Sequence, residues 1–103
     1  MIDIKVSLKL TSERQLLNTD PVDIFDELAE VFFDDESVTE HGMSGDYSLM
    51  KIDMEMWVNT NSVEEAIAIG VQAVKAANDV ATVKVPWVSA EIDSVSAGQL
   101  EAA

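Results

Sequence analysis

Two stretches of this chain alternate apolar and polar residues without a break. In residues 1–10, Ile2, Ile4, Val6, Leu8 and Leu10 fall on one parity and Asp3, Lys5, Ser7 and Lys9 on the other. In residues 49–58, Met50, Ile52, Met54, Met56 and Val58 alternate with Lys51, Asp53, Glu55 and Trp57. A side-chain period of two describes a strand with one buried and one open face.

A helical pattern follows each strand. Thr11 to Thr19 reads as a polar connection with a helical turn near Glu13 to Leu17. Asp20-Pro21 then supplies an N-cap residue and a proline at the first helical position. The helix it opens is expected to run to about Phe33, with Ile24, Phe25, Leu28, Val31 and Phe32 as its apolar stripe. After the second alternating run, Ser62 and Glu65 have capping-box spacing. Val63, Ala66, Ile67, Gly70, Val71, Val74 and Ala77 then recur at helical intervals. Gly70 lies on the apolar face of that helix, where glycine costs about 1 kcal/mol relative to alanine. Close approach of the helix to the sheet is the expected compensation.

The remaining strands are weaker. Glu36 to His41 is a strand candidate anchored by Val38. Gly42 to Asp46 is expected to be the turn into a long strand from Tyr47 to Val58. The last strand is expected from Thr82 to about Asp93. Its parity slips between Val83 and Val85 on one side and Val88, Ala90 and Ile92 on the other, which calls for a bulge near Pro86-Trp87. Proline there also marks an edge strand. Residues 1–93 are read as one domain and 94–103 as a flexible tail.

The order strand, helix, strand, strand, helix, strand predicts an α+β domain. Its expected form is a ferredoxin-like βαββαβ fold: a four-stranded antiparallel sheet in order 4-1-3-2 with both helices on one face. The two best strands then occupy the centre and the two weakest the edges, so strand quality and position agree. Within this frame, residues 46–93 carry Y-S-L-x-K-I-D-M-E, N-S-V-E-E-A-I-A-x-G-V and V-P-W-V-S-A-E-I-D. That stretch, about half the chain, resembles small uncharacterised acidic proteins of actinobacteria and their phages. The long first connection and the methionine-rich strand depart from the Val- and Ala-rich pattern of that group. The resemblance implies a bacterial or phage origin and no activity.

Charge narrows the functional classes. The chain of 103 residues has 20 acids against 6 bases, a net charge of −14. Such a surface repels nucleic acid and anionic membranes and attracts basic proteins. Solubility or salt adaptation is the competing explanation of the same acidity. The chain has no cysteine, which excludes disulfides and thiolate chemistry and suits a reducing, cytoplasmic setting. The first residues read as a strand rather than a signal peptide, and no apolar run reaches the length of a membrane span.

Catalytic and metal chemistry have little to stand on. His41, the only histidine, lies beside Glu40 and could form a proton shuttle with it; a turn residue is the plainer reading. Asp34-Asp35-Glu36 lacks the pattern of a calcium loop. No phosphate-binding glycine loop or nucleophile elbow is present. No metal, cofactor or catalytic residue is therefore assigned.

Two surfaces remain. From Asp20 to Glu40 the chain has no Lys or Arg, and Asp23, Asp26, Glu27, Glu30 and Asp34 form one helical stripe. On the open sheet face, Trp57 shares its parity with Tyr47 and Leu49, and Trp87 is expected to join them through the bulge. Lys5, Lys9 and Lys51 share that face with Asp53 and Glu55. The expectation is a non-enzymatic acidic module that binds a basic protein, as a regulator or inhibitor of a nucleic-acid-binding protein in one form of that role. A homodimer through the open sheet face is a second expectation. The alternatives are a dimeric small-ligand-binding protein or enzyme, using His41 or Glu40 in a cleft between sheet and helices, and a structural subunit.

Overall fold

The computed structural model describes residues 1–12 and 20–99. The elements are β1 (Ile2–Ser12), α1 (Asp20–Phe32), β2 (Thr39–Asp46), β3 (Lys51–Val58), α2 (Val63–Lys84) and β4 (Val88–Gln99). They form one sheet in the order β2-β3-β1-β4, the expected ferredoxin-like arrangement read from the other edge. β1 pairs antiparallel with β3, from Ile2 opposite Val58 to Lys9 opposite Lys51. The expected turn near Glu13 to Leu17 lies outside the described residues.

The alternation seen in sequence sorts the two faces of the sheet. Ile2, Ile4, Val6, Leu8 and Leu10 of β1 and Ile52, Met54, Met56 and Val58 of β3 are buried. They pack with Ile24, Leu28 and Phe32 of α1 and with Ala66, Ala73, Val74, Ala77 and Ala81 of α2. Each large apolar side chain buried in this way contributes roughly 1.5–3 kcal/mol. The alanines of α2 let it lie close to the sheet, and at Gly70 the approach is closest. A β-carbon there would stand 2.8 Å from Ile4 Cγ2, so the expected close contact is present. Asn78 also ties α2 to the edge strand, its Nδ2 donating to the Ala90 carbonyl at 2.9 Å.

Three boundaries differ from the expected ones. The glycines of Gly42 to Asp46 lie within β2, not in a turn. The turn is Tyr47 to Met50, fixed by Asp46, whose Oδ1 accepts from Ser48 Oγ at 2.7 Å and Leu49 N at 3.3 Å. These hydrogen bonds hold the Asp46 carboxyl below its usual pKa. The Tyr47 ring lies against Gly45: a β-carbon there would meet the ring at 2.7 Å and push it aside. Tyr47 accordingly meets Phe25 of α1 edge-on, with ring centroids 6.4 Å apart, and does not extend β3.

The second difference is at the end of α2. The helix continues through Thr82 and Val83 to Lys84, and Val85 caps it. Val83 is 78% exposed, so the parity slip marks the join between a helix and a strand. The irregularity in β4 lies farther on: Ser7 pairs with Ser94 and Leu8 with Ile92, leaving Asp93 as the extra residue. The third difference is that β4 continues past Asp93 to Gln99, with Ser94 to Gln99 paired along β1. The sheet therefore includes six residues that the sequence pattern assigns to a tail.

A second irregularity sets Glu40 and His41 of β2 between the pairs Thr39–Trp57 and Gly42–Glu55. Glu40 there has φ 51°, a left-handed conformation that a residue with a β-carbon adopts at a cost. Its side chain is exposed. Glu40→Gly is expected to raise stability by about 0.5–1 kcal/mol, measured by urea unfolding. A loss of stability would show that Glu40 makes a contact that outweighs the strain.

Candidate functional site

The acidic face is built by α1 and the turn after it. Ile24, Leu28 and Phe32 are buried, which fixes the helix rotation. At 100° per residue, Val22, Asp26, Glu30 and Asp23 follow one another across the opposite side, and Glu27 borders α2. Asp23, Asp26, Glu30 and Asp34 are exposed and Glu27 is half-buried. The stripe read from the sequence is thus assembled, with one member turned toward a neighbour.

That neighbour is Lys84, in the last turn of α2. Its Nζ lies 3.2 Å from Glu27 Oε2 and 3.8 Å from Glu30 Oε2. The helix itself offers the stripe no cation, and Lys84 supplies one from another element. Glu27 and Glu30 hold the lysine pKa above its ordinary value, the hydrogen bond to Glu27 being the largest cause. A raised lysine pKa stabilises the fold fully below the ordinary lysine range, and this stabilisation is lost as pH rises through the folded value. Lys84→Met should therefore melt below the parent protein at neutral pH, and the difference should vanish in strong alkali. A difference independent of pH would assign the effect to packing of the lysine stem.

The turn that follows α1 is held rigidly. Asp35 N donates to the Phe32 carbonyl at 3.1 Å, and Asp35 Oδ1 accepts from Ser37 N at 2.9 Å and from Ser37 Oγ. His41 reaches back from β2, its Nε2–H donating to the Asp35 carbonyl at 2.9 Å. The imidazole packs edge-on against Phe32, centroids 4.9 Å apart. Histidine here is a half-buried clasp between β2 and the turn, its ring nitrogen engaged by the Asp35 carbonyl rather than by Glu40. Between the sheet and the helices, the described residues form an apolar core.

The clasp leaves Phe33 outside. Its ring contacts Phe32 and His41, with centroids 5.7 and 5.8 Å away, yet 48% of the residue is exposed. Between the end of α1 and α2, Glu30, Val31, Asp34, Asp35 and Lys84 line a shallow depression of about 440 Å³. Val31 gives this hollow an apolar wall among three carboxylates. Lys84 already pairs with Glu27 and Glu30, so the charge left for a partner's lysine or arginine, with its apolar stem and charged head, is that of Asp34 and Asp35. Sequence reading misses both Phe33 and Lys84 as site residues. It places Phe33 at the helix end without a role, and Lys84 in a strand. Pro86, two residues past Lys84, is the available signal of the helix end.

The run of Tyr47, Leu49 and Trp57 expected along one strand of the open sheet face is broken, because β3 begins at Lys51. Trp57 stands on that face, half-buried, opposite Asp3 and Thr39. Tyr47 and Leu49 belong to the turn. Trp87 lies in the connection between α2 and β4, and the irregularity of β4 lies at Asp93 instead. Around Trp57 the face is polar: Lys5 lies opposite Glu55, Ser7 opposite Asp53, and Lys9 opposite Lys51. Ser7 Oγ donates to Asp53 Oδ1 at 2.5 Å, and Lys51 reaches Asp93 at 3.8 Å.

No family model matches this chain, and no curated protein matches it. Among solved structures it is similar to a structural-genomics protein, YJCS, at 20% identity and TM-score 0.58, over 98% of this chain and 100% of the other. It is also similar to LFR1 1, a de novo designed protein with a ferredoxin fold, at 14% identity and TM-score 0.52. That match covers 91% of this chain and 87% of the designed one. At these identities the likeness establishes the fold alone. Among the described residues, no helix is long and apolar enough to cross a membrane.

Proposed function

We propose that this domain is a non-enzymatic protein-binding module that docks a basic partner on the outer face of α1. The observations that carry the reading are the exposed ring of Phe33 at the end of α1 and the hollow where Glu30, Asp34 and Asp35, with Lys84, surround the apolar wall of Val31. An exposed aromatic ring on an acidic helix has the make-up of an energetic centre of a protein interface. The acids around it supply steering. A partner that presents lysine or arginine to nucleic acid would meet here the charge it meets on phosphates, so regulation or inhibition of such a protein is the form of the role that the charge favours. A cysteine-free chain suits the cytoplasm as its setting, and the resemblance to actinobacterial and phage proteins fits a bacterial cell.

Affinity capture from an extract of the native host tests this reading. The wild-type domain is expected to retain a basic protein at low salt and release it at high salt. Phe33→Ser should retain much less at every salt concentration, because it removes the anchor and leaves the charge. Equal retention by Phe33→Ser and the wild type would remove the α1 face as the docking site.

A further inference from the structure

The open sheet face carries charges most of which form no ion pair among the described residues. Lys5, Lys9 and Lys51, half of the chain's six bases, stand there with Asp3, Asp53, Glu55 and Glu91. Of these, only Lys51 has an ion pair among the described residues, with Asp93. Lys5 and Glu55 are directly opposite each other on β1 and β3 yet do not pair with each other. Asp3 Oδ1 is buried without a hydrogen-bond partner. In the middle of the face, small residues on the outer strands, Gly42 and Ser44 on β2 and Ser94 and Ser96 on β4, leave a depression of about 460 Å³.

A partner for this face must present both signs of charge, in rows spaced as strands are. We infer that the occupant is a second copy of this chain, packed sheet to sheet about a two-fold axis perpendicular to the strands. The axis passes between the Lys5 row and the Ser7 row. This operation reverses the order of rows along each strand. Asp3 then faces Lys9 of the second copy, and Trp57 faces Lys51 of the second copy, a cation over an indole ring. Serine and glycine of the outer strands face one another, and the two depressions close into one polar chamber. Asp53 and Glu55 are the sole like-charged groups brought together, and Lys5 lies beside them in each copy. A dimer made through the helical side would instead set the acidic stripes against each other.

The size of the face fits a reversible dimer. Strands about 4.8 Å apart rising about 3.4 Å per residue give four strands of seven or eight residues roughly 500 Å² on each copy. The total of about 1,000 Å² lies at the lower end for specific interfaces. Aligned sheets about 10 Å apart leave room for the lysine side chains and for water in the chamber.

Sedimentation over about 1 µM to 1 mM protein tests the inference. The wild type is expected to pass from monomer to dimer in this range. Asp3→Lys is expected to weaken the dimer about tenfold, although it lowers the net negative charge of each copy. Asp3→Lys with Lys9→Asp is expected to restore it, because the facing pair is re-formed with its signs exchanged. Ser94→Tyr, which fills the chamber from an exposed strand position, should weaken the dimer while circular dichroism stays unchanged. A wild type that remains monomeric throughout overturns the inference. So does an Asp3→Lys variant that dimerises more tightly, since general charge repulsion would then govern association.

Discussion

Exchanging Asp23, Asp26 and Asp34 for asparagine is expected to slow association with the basic partner about tenfold at low ionic strength. The three residues are exposed and make no ion pair among the described residues, so their charge acts on an approaching molecule rather than on the fold. Opposite charges steer diffusional encounter, and salt screens the effect within a Debye length of about 10 Å at 0.1 M. The rate difference should therefore shrink as salt rises, while dissociation changes little. Stability should stay within about 0.5 kcal/mol of the parent. Losing Asp23 near the helix start gives up a favourable interaction with the helix dipole, and losing Asp34 past the helix end removes an unfavourable one. Glu27 must be left in place. Its pairing with Lys84 makes it part of the joint between the helices, so a triple change at Asp26, Glu27 and Glu30, which charge counting alone would select, is expected to destabilise the protein. Stopped-flow association against salt reads the first effect and urea unfolding the second.

Gly70→Ala is the substitution expected to affect folding most for its size. In an isolated helix it would add up to about 1 kcal/mol of stability. Here the new methyl would meet Ile4 Cγ2 at 2.8 Å and Ile4 Cβ at 3.3 Å. Ile4 is fully buried in a central strand and cannot retreat without disturbing the register between β1 and β3. Overpacking of this kind costs about 1–3 kcal/mol, so a net loss of stability is expected despite the better helix former. Ile4→Ala removes the clashing methyl. Alone it should cost about 2–5 kcal/mol through the cavity it leaves. In the Gly70→Ala background it should cost clearly less, because the alanine partly fills that cavity. Additive losses in the double variant would mean that the two positions do not touch.

Gly70 also shows what makes this fold readable from the sequence. Its place on an apolar helical face can be read without a structure, and the implied close contact with the sheet is present. The central strands are equally plain, because each has one fully buried and one open face. The edges are harder for physical reasons. β2 has two glycines inside the strand, and at Gly45 the Tyr47 ring folds back over the backbone, a contact between residues two apart in a stretch whose composition mimics a turn. Thr82, Val83 and Val85 have the β-branched composition of a strand, yet α2 runs through the first two because Ala77 and Ala81 continue its buried face. Of the candidate site, the carboxylate stripe is visible from spacing alone. Phe33 and Lys84 are not, because each gains its role from another element: Phe33 from the histidine that clasps its turn, and Lys84 from a helix that packs beside α1.

The carboxylates of α1 are the proposed surface on which a basic protein binds. Zero-length carbodiimide coupling in an extract of the native host, followed by mass spectrometric mapping, tests this directly and identifies the partner in the same step. Lysines of the captured protein are expected to be joined to Asp23, Asp26, Glu30 or Asp34, and these links should disappear when high salt is present during coupling. Links confined to Asp53, Glu55 and Glu91 on the open sheet face would contradict the proposal.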